Sequence, residues 1–189
     1  MDLSAVTTTQ LAILICIVAM LAVGMAVLIT IRKRRTERLR AQFGGSEYTR
    51  AVREGGSKRH AEATLDERAQ RVERLQIRPL AATDRARFVE SWARVQARFV
   101  DGPGGAVTDA DQLLGDVMST RGYPVSDFEQ RVADISVDHP LVLDSYRAAH
   151  HNAVRQARGQ ASTEDLRQAM IHYRTLFEEL VSEPEAGRS

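Results

Sequence analysis

The chain has 189 residues, enough for one or two compact domains, and its 26 Lys and Arg nearly balance its 25 Asp and Glu. A formal net charge of +1 and an aromatic content of 5% do not indicate that the chain as a whole binds nucleic acid. The lone cysteine, Cys16, excludes an internal disulfide framework.

The first predicted element is a transmembrane helix over residues 11–31, LAILICIVAMLAVGMAVLITI. This segment has no charged side chain, and at about 1.5 Å per residue it spans the ~30 Å hydrocarbon core of a bilayer. A cleaved signal peptide is the rival interpretation, but no Lys or Arg precedes Leu11 and the apolar run is too long. We therefore predict an uncleaved membrane anchor.

A dense group of basic residues follows the apolar run and contains one acidic residue, Glu37. We call it the basic cluster: Arg32, Lys33, Arg34, Arg35, Arg38 and Arg40. Basic residues beside a transmembrane helix stay in the cytoplasm, so we predict residues 1–10 outside the plasma membrane and the remainder inside. The cluster has two interpretations, a topology signal alone or an additional attraction for anionic lipid. The small residues Ala22, Gly24 and Ala26 favour close approach of a second copy, a homodimer.

Residues 32–58 are predicted to be a basic juxtamembrane segment and linker with one short helical piece, because two Gly-Gly pairs interrupt the stretch 41–58. Residues 59–78 are highly charged with a narrow apolar stripe at helical spacing, which predicts a solvated stalk helix ended by Pro79. This arrangement separates the membrane from the domain that follows.

Residues 80–182 are predicted to form a compact domain of about five helices, followed by a disordered tail over 183–189. Apolar residues recur at helical spacing through the domain, and no stretch alternates as a strand does. Trp92, the one tryptophan, lies on such a stripe and is expected to anchor the core. The fold class is therefore all-α, with a transmembrane helix and a stalk helix before the domain.

Helix ends in this domain have local signals. Arg121 and Gly122 predict a C-terminal stop. Ser126 with Glu129 predicts a capping box that opens a short helix, and Ser162 opens the last helix in the same way with Asp165.

Five short motifs carry a resemblance to a known family. They are Arg-Gly-Tyr-Pro at 121–124, Asp-His-Pro at 138–140, Tyr-Arg-Ala-Ala-His at 146–150, STEDLRQAM at 162–170 and His-Tyr-Arg at 172–174. Over residues 38–181 the chain resembles a family of bacterial single-pass membrane proteins of unknown function. The resemblance implies an anchor and a helical domain, and it supplies no activity, cofactor or partner.

Histidines are the natural candidates for chemistry in the domain. His150 and His151 are adjacent, so their side chains point about 100° apart around a helix and do not bind one metal ion together. A site that uses His139, His150 or His172 is the basis of the alternative function, a metal-binding enzyme or sensor. No P-loop or nucleophile elbow is present in the sequence.

Tyrosine and arginine are concentrated near the predicted turns. They have two interpretations, packing at helix junctions or lining a protein-binding groove. The candidate interaction surface comprises Arg121, Tyr123, His139, Tyr146, Arg147, His150, Tyr173 and Arg174. The preferred prediction is a membrane-anchored, non-enzymatic helical interaction module without a cofactor. Its expected partners are membrane lipid, a protein or a second copy, and no nucleic acid.

Overall fold

A computed structural model describes residues 3–124 and 126–182; between residues 3 and 17, Leu14 is the one side chain that it describes. The described residues form seven α-helices and one 3₁₀ turn, with no strand. The helices are α1 (Leu3–Glu54), α2 (Lys58–Glu73), α3 (Ala82–Arg98), α4 (Pro103–Arg121), α5 (Phe128–Asp138), α6 (Leu143–Ala157) and α7 (Thr163–Ser182), and the 3₁₀ turn is Pro140–Val142. The all-α prediction is confirmed.

The chain divides into two units, Met1–Ala41 and Gln42–Ser189. Within the described residues, no helix is both long enough and apolar enough to span a bilayer. Part of the predicted transmembrane segment, the side chains at positions 11–13 and 15–17, lies outside the described residues. The predicted disordered tail over 183–189 lies outside them as well.

The core of the second unit lies among α3, α4, α6 and α7. Helix α7 packs against the other three, and its apolar stripe is buried from Leu166 to Val181. The ring of Trp92 on α3 stacks on Phe177 of α7 with centroids 4.8 Å apart and planes 14° from parallel. The interpretation of Trp92 as a core anchor is confirmed by its 6% exposure.

Two of the predicted helix ends form as expected. Gly122 follows α4 with φ at 99°, a left-handed conformation that favours glycine. Ser162 and Asp165 make the reciprocal bonds of a capping box at the start of α7. The Asp165 backbone N–H donates to Ser162 Oγ at 3.1 Å, and the Ser162 N–H donates to Asp165 Oδ2 at 2.8 Å.

The capping box proposed at the start of α5 is wrong by one residue. Asp127, not Ser126, is the N-cap, and its carboxylate accepts from the Gln130 N–H at 2.8 Å. Ser126 Oγ instead lies 3.4 Å from the Pro124 carbonyl oxygen. Serine and aspartate are both favoured as N-cap residues, so the residue types alone did not show which of the two caps α5.

The linker predicted over residues 41–58 is helical as far as Glu54. Its glycines do mark backbone breaks, because Gly44 has φ 70° and ψ 164° inside α1 and Gly56 has φ 66° after it. Phe43, just before the first break, and Tyr48 and Ala51, between the two breaks, are buried. Their burial gives this segment the apolar contacts that a solvated linker lacks.

The predicted stalk helix also differs from the structure. Helix α2 ends at Glu73, six residues before Pro79, and it packs against α5. Ala61, Leu65 and Val72 of its narrow stripe are buried. Helix α2 is therefore a packed part of the second unit, which begins at Gln42 and not near residue 80.

Candidate interaction cleft

A cleft of about 390 Å³ lies in the second unit where α5 and α6 meet the end of α1 and the middle of α2. Its wall combines charged, aromatic and aliphatic side chains. The lining residues are Arg50, Glu54, Arg68, Phe128, Glu129, Val132, Ala133, Arg147, His150, His151 and Val154. Its volume lies within the range typical of ligand pockets.

A buried carboxylate, Glu47, holds two of the cationic side chains of the cleft. Arg68 of α2 donates to Glu47 Oε1 at 2.9 Å. Arg147 of α6 donates to both carboxylate oxygens, at 2.7 and 3.2 Å. Glu47 is 3% exposed, so these bonds join α1, α2 and α6 through one buried charge.

The electrostatics of Glu47 are set by opposing effects. Burial raises the pKa of this carboxyl, but hydrogen bonds and positive charge from Arg147 and Arg68 outweigh burial and leave the pKa below its ordinary value. Glu47 is therefore ionised at neutral pH. Its charge offsets one of the two guanidinium charges.

Arg50 makes weaker ion pairs than Arg68 and Arg147 do. Its guanidinium lies 3.8 Å from Glu54 and 4.0 Å from Asp144, distances longer than hydrogen bonds. The side chain is 35% exposed. Arg50 is thus the cleft cation best placed to meet an incoming acidic group.

His150 gives the cleft an aromatic wall. Its ring stacks on Phe128 with centroids 3.6 Å apart and planes 7° from parallel. Burial lowers the pKa of His150, and the nearby charge of Arg131 adds to this effect against the opposing influence of Asp111 and Glu129. The imidazole is therefore predominantly neutral at pH 7, and its Nδ1 has no hydrogen-bond partner among the described residues.

A partly buried polar group lies near His150. The Tyr173 hydroxyl donates to Asp111 at 3.1 Å, and Arg131 lies 3.6 Å from the same carboxylate. The guanidinium carbon of Arg131 is 5.9 Å from the centroid of the Tyr146 ring. Burial raises the pKa of both tyrosines far above the ordinary value, so both remain protonated. Neither serves as a base.

A second buried carboxylate joins α2 to α5. Asp134 is 1% exposed and accepts hydrogen bonds from Arg71 of α2 and from Gln130, the latter at 3.1 Å. Burial raises the pKa of Asp134 and outweighs the opposing effect of Arg71. Together with the buried Ala61, Leu65 and Val72, this contact joins α2 to the rest of the second unit.

The structure buries five of the eight residues of the candidate interaction surface: Arg121, Tyr123, His139, Tyr146 and Tyr173. Three of them make internal polar contacts at helix ends: Arg121 donates to the Leu180 carbonyl at 3.0 Å, Tyr123 bonds Asp138 at 3.2 Å, and His139 lies 3.1 Å from Glu179. The Tyr146 hydroxyl has no hydrogen-bond partner among the described residues. These five side chains therefore stabilise helix junctions and do not form an exposed groove.

The other three residues of that surface have different surroundings. Arg147 and His150 line the cleft together. Arg174 is exposed and bonds Glu178 one turn along α7, at 2.7 Å. The sequence thus indicated two residues of the cleft and missed its α1, α2 and α5 walls.

One signal for the missing wall was present in the sequence. Phe43, Glu47 and Ala51 recur at i, i+4 and i+8, a spacing that places them on one helical face. The neighbouring glycine pairs favoured a linker over that interpretation.

The alternative metal site has no geometric support within the described residues. They contain no group of three or more His, Cys, Asp or Glu side chains placed to hold a metal ion. His139 lies beside Glu179, whereas His150 stacks on Phe128. His172 is half-buried on α7.

No protein-family model, curated protein or solved structure matches this chain. The resemblance over residues 38–181 to bacterial single-pass membrane proteins therefore stays a prediction.

Proposed function

We propose that the chain is a single-pass membrane protein whose cytoplasmic helical unit binds a protein partner at the cleft. The proposal of a membrane anchor rests on one observation. Along residues 14–31 of α1, large apolar side chains are 51–77% exposed. They are Leu14, Val18, Met20, Leu21, Val23, Met25, Val27, Leu28, Ile29 and Ile31. A run of this size on one helix is costly in water.

A bilayer supplies the apolar environment that these side chains lack. The uncharged segment 11–31 matches the ~30 Å hydrocarbon thickness, and an α-helix satisfies its own backbone hydrogen bonds in lipid. The basic cluster directly after Ile31 favours an orientation with residues 1–10 outside and the second unit in the cytoplasm.

The cleft supports binding as the role of the second unit. Arg50, Arg68, Arg147 and Phe128 line it, and arginine and aromatic residues are enriched at the energetic centres of protein interfaces. Glu47 fixes two of these arginines, so they form a pre-organised surface. Arg50 at its edge favours a partner that presents an acidic side chain.

Cysteine accessibility tests the anchor and its orientation. In a Cys16→Ala background, a membrane-impermeant maleimide applied to intact spheroplasts should label Ser4→Cys and should label Ser119→Cys only after lysis. Both variants should stay in the pellet at alkaline pH and leave it with detergent. Release without detergent would contradict the anchor, and labelling of Ser119→Cys in intact cells would contradict the orientation.

Site-specific crosslinking tests the interaction cleft. A photoreactive phenylalanine analogue at His151, an exposed cleft residue, should give a discrete crosslinked species in intact membranes, and the same analogue at Val89, exposed on α3, should not. Arg50→Glu should reduce the crosslink at His151 about tenfold or more, because a reversed interface charge costs several kcal/mol. Equal yields at both positions, or no effect of Arg50→Glu, would contradict binding at the cleft.

A further inference from the structure

Positive and negative charges around the cleft are equal in number. Glu47 accepts hydrogen bonds from two of the cleft arginines, and Glu54 lies 3.8 Å from the third. Because these charges offset one another, the cleft attracts an acidic group only weakly, and one added positive charge would leave it net positive. The guanidiniums are those of Arg50, Arg68 and Arg147, and the carboxylates are those of Glu47, Glu54 and Glu129.

His150 is the side chain in the cleft wall that can supply this charge. It is half-buried, and its ring lies flat against Phe128 with centroids 3.6 Å apart. The face of an aromatic ring attracts a cation, so Phe128 favours a protonated imidazole at this position. His150 can therefore gain a proton while it keeps its place in the wall.

Charged and titratable groups face His150 from each neighbouring helix. Glu129 and Asp111 favour its protonated form, whereas burial and Arg131 oppose it and prevail, so the pKa of His150 lies below its ordinary value of 6.5. A carboxylate that entered the cleft would favour the protonated form and raise this pKa. The groups are Asp111 of α4, Glu129 and Arg131 of α5, Tyr173 of α7, Arg50 and Glu54 of α1, Arg68 of α2, and Arg147 and His151 of α6 itself.

We infer that the cleft is a pH-dependent binding site, which holds the acidic side chain of a partner more tightly once His150 is protonated. This inference rests on the proposed function of the cleft. Binding of the acidic group and uptake of the proton favour each other by thermodynamic linkage, so affinity should rise as the pH falls from about 7.5 to 5.5. His151 also lines the cleft, but it is exposed and solvent screens its charge.

The test measures binding of a defined peptide to the full chain in detergent, with detergent alone as the blank. The probe is acetyl-aspartyl-para-fluorophenylalanine amide, which carries one carboxylate and one aromatic ring, and fluorine NMR linewidths give its dissociation constant. Its carboxylate stays ionised over this pH interval. The dissociation constant should fall about fivefold from about pH 7.5 to 5.5, because one charge is added at a partly screened site. The uncharged asparaginyl analogue should change less than about twofold.

Variants separate His150 from the other titrating groups. His150→Phe keeps an aromatic ring against Phe128 and cannot titrate, so its dissociation constant should change less than about twofold over the same interval. His150→Gln should behave in the same way, and the fluorescence of Trp92 checks that each variant is folded. His172→Gln changes a half-buried histidine outside the cleft and should retain the fivefold change. In isotope-labelled wild type, the titration midpoint of the His150 resonance should move to higher pH when the peptide is added.

An affinity that does not change with pH overturns the inference, and so does a pH dependence that persists in the folded His150 variants or is shared by the asparaginyl analogue. The crosslink at His151 separates this failure from failure of the proposed function. If that crosslink forms and depends on Arg50, peptide binding that is absent or independent of pH overturns the pH dependence alone. Absence of both the crosslink and peptide binding overturns both proposals.

Discussion

Glu47→Gln is expected to lower the free energy of unfolding of the second unit by about 3 kcal/mol, because removing one partner of a buried ion pair leaves the other charges uncompensated. Arg68 and Arg147 would both lose the carboxylate that holds them, and their side chains are 23% and 18% exposed. Denaturant unfolding of the detergent-solubilised chain, followed by the fluorescence of Trp92, measures this loss.

Glu178→Gln is the matched control, because that carboxylate is 59% exposed and pairs with Arg174 along the same helix. We expect its effect to stay below about 0.5 kcal/mol. A loss from Glu47→Gln that is no larger than the control would contradict the role given to Glu47.

The Glu47 ion pairs also predict a dependence on pH. The folded pKa of Glu47 lies below the ordinary value of 4.5, so its stabilising contribution is present above pH 4.5 and is lost as the pH falls through the folded pKa. Glutamine cannot titrate. The difference in unfolding free energy between wild type and Glu47→Gln should therefore be largest near pH 7 and shrink below pH 4.5.

Gly122→Ala is expected to destabilise the second unit by about 3 kcal/mol, from backbone strain and steric overlap together. At φ 99° an L side chain is strained, and a Cβ there would overlap the Gln76 carbonyl oxygen and lie 3.1 Å from its carbonyl carbon. The segment cannot easily retreat, because the Arg78 N–H donates to the Arg121 carbonyl at 2.8 Å. The same unfolding measurement applies.

Gly159→Ala separates the two causes. Gly159 also has a positive φ, 68°, but no heavy atom lies within 4 Å of the position that a Cβ would take there. Strain alone should cost about 1–2 kcal/mol at this site. Equal losses at Gly122 and Gly159 would show that the close approach of Gln76 contributes nothing.

Local patterns predicted much of the second unit. The stripe from Leu166 to Val181, the Ser162 box and the stop at Gly122 all follow from residues within one or two turns of each other. Such signals depend on helical periodicity and on backbone groups left unpaired at helix ends. They need no knowledge of distant contacts.

The candidate site could not be predicted in the same way. Glu47 is separated by 21 residues from Arg68 and by 100 from Arg147, and no local period connects them. The tyrosines chosen for an interaction surface share their composition with interface residues, yet Tyr146 and Tyr173 are fully buried. Residue type alone suggested an interface, but it did not show whether these tyrosines are exposed or buried.

By itself the sequence determined an all-α chain, the helix ends at Gly122 and Ser162 and the apolar stripes of α3 to α7, because helical period and end chemistry are local. Only the tertiary structure decided that residues 42–54 and α2 belong to the packed unit, and that α1, α2, α5 and α6 enclose a cleft. The physical reason is that a buried charge such as Glu47 is stable only where distant arginines converge on it, and that convergence exists only in the folded chain.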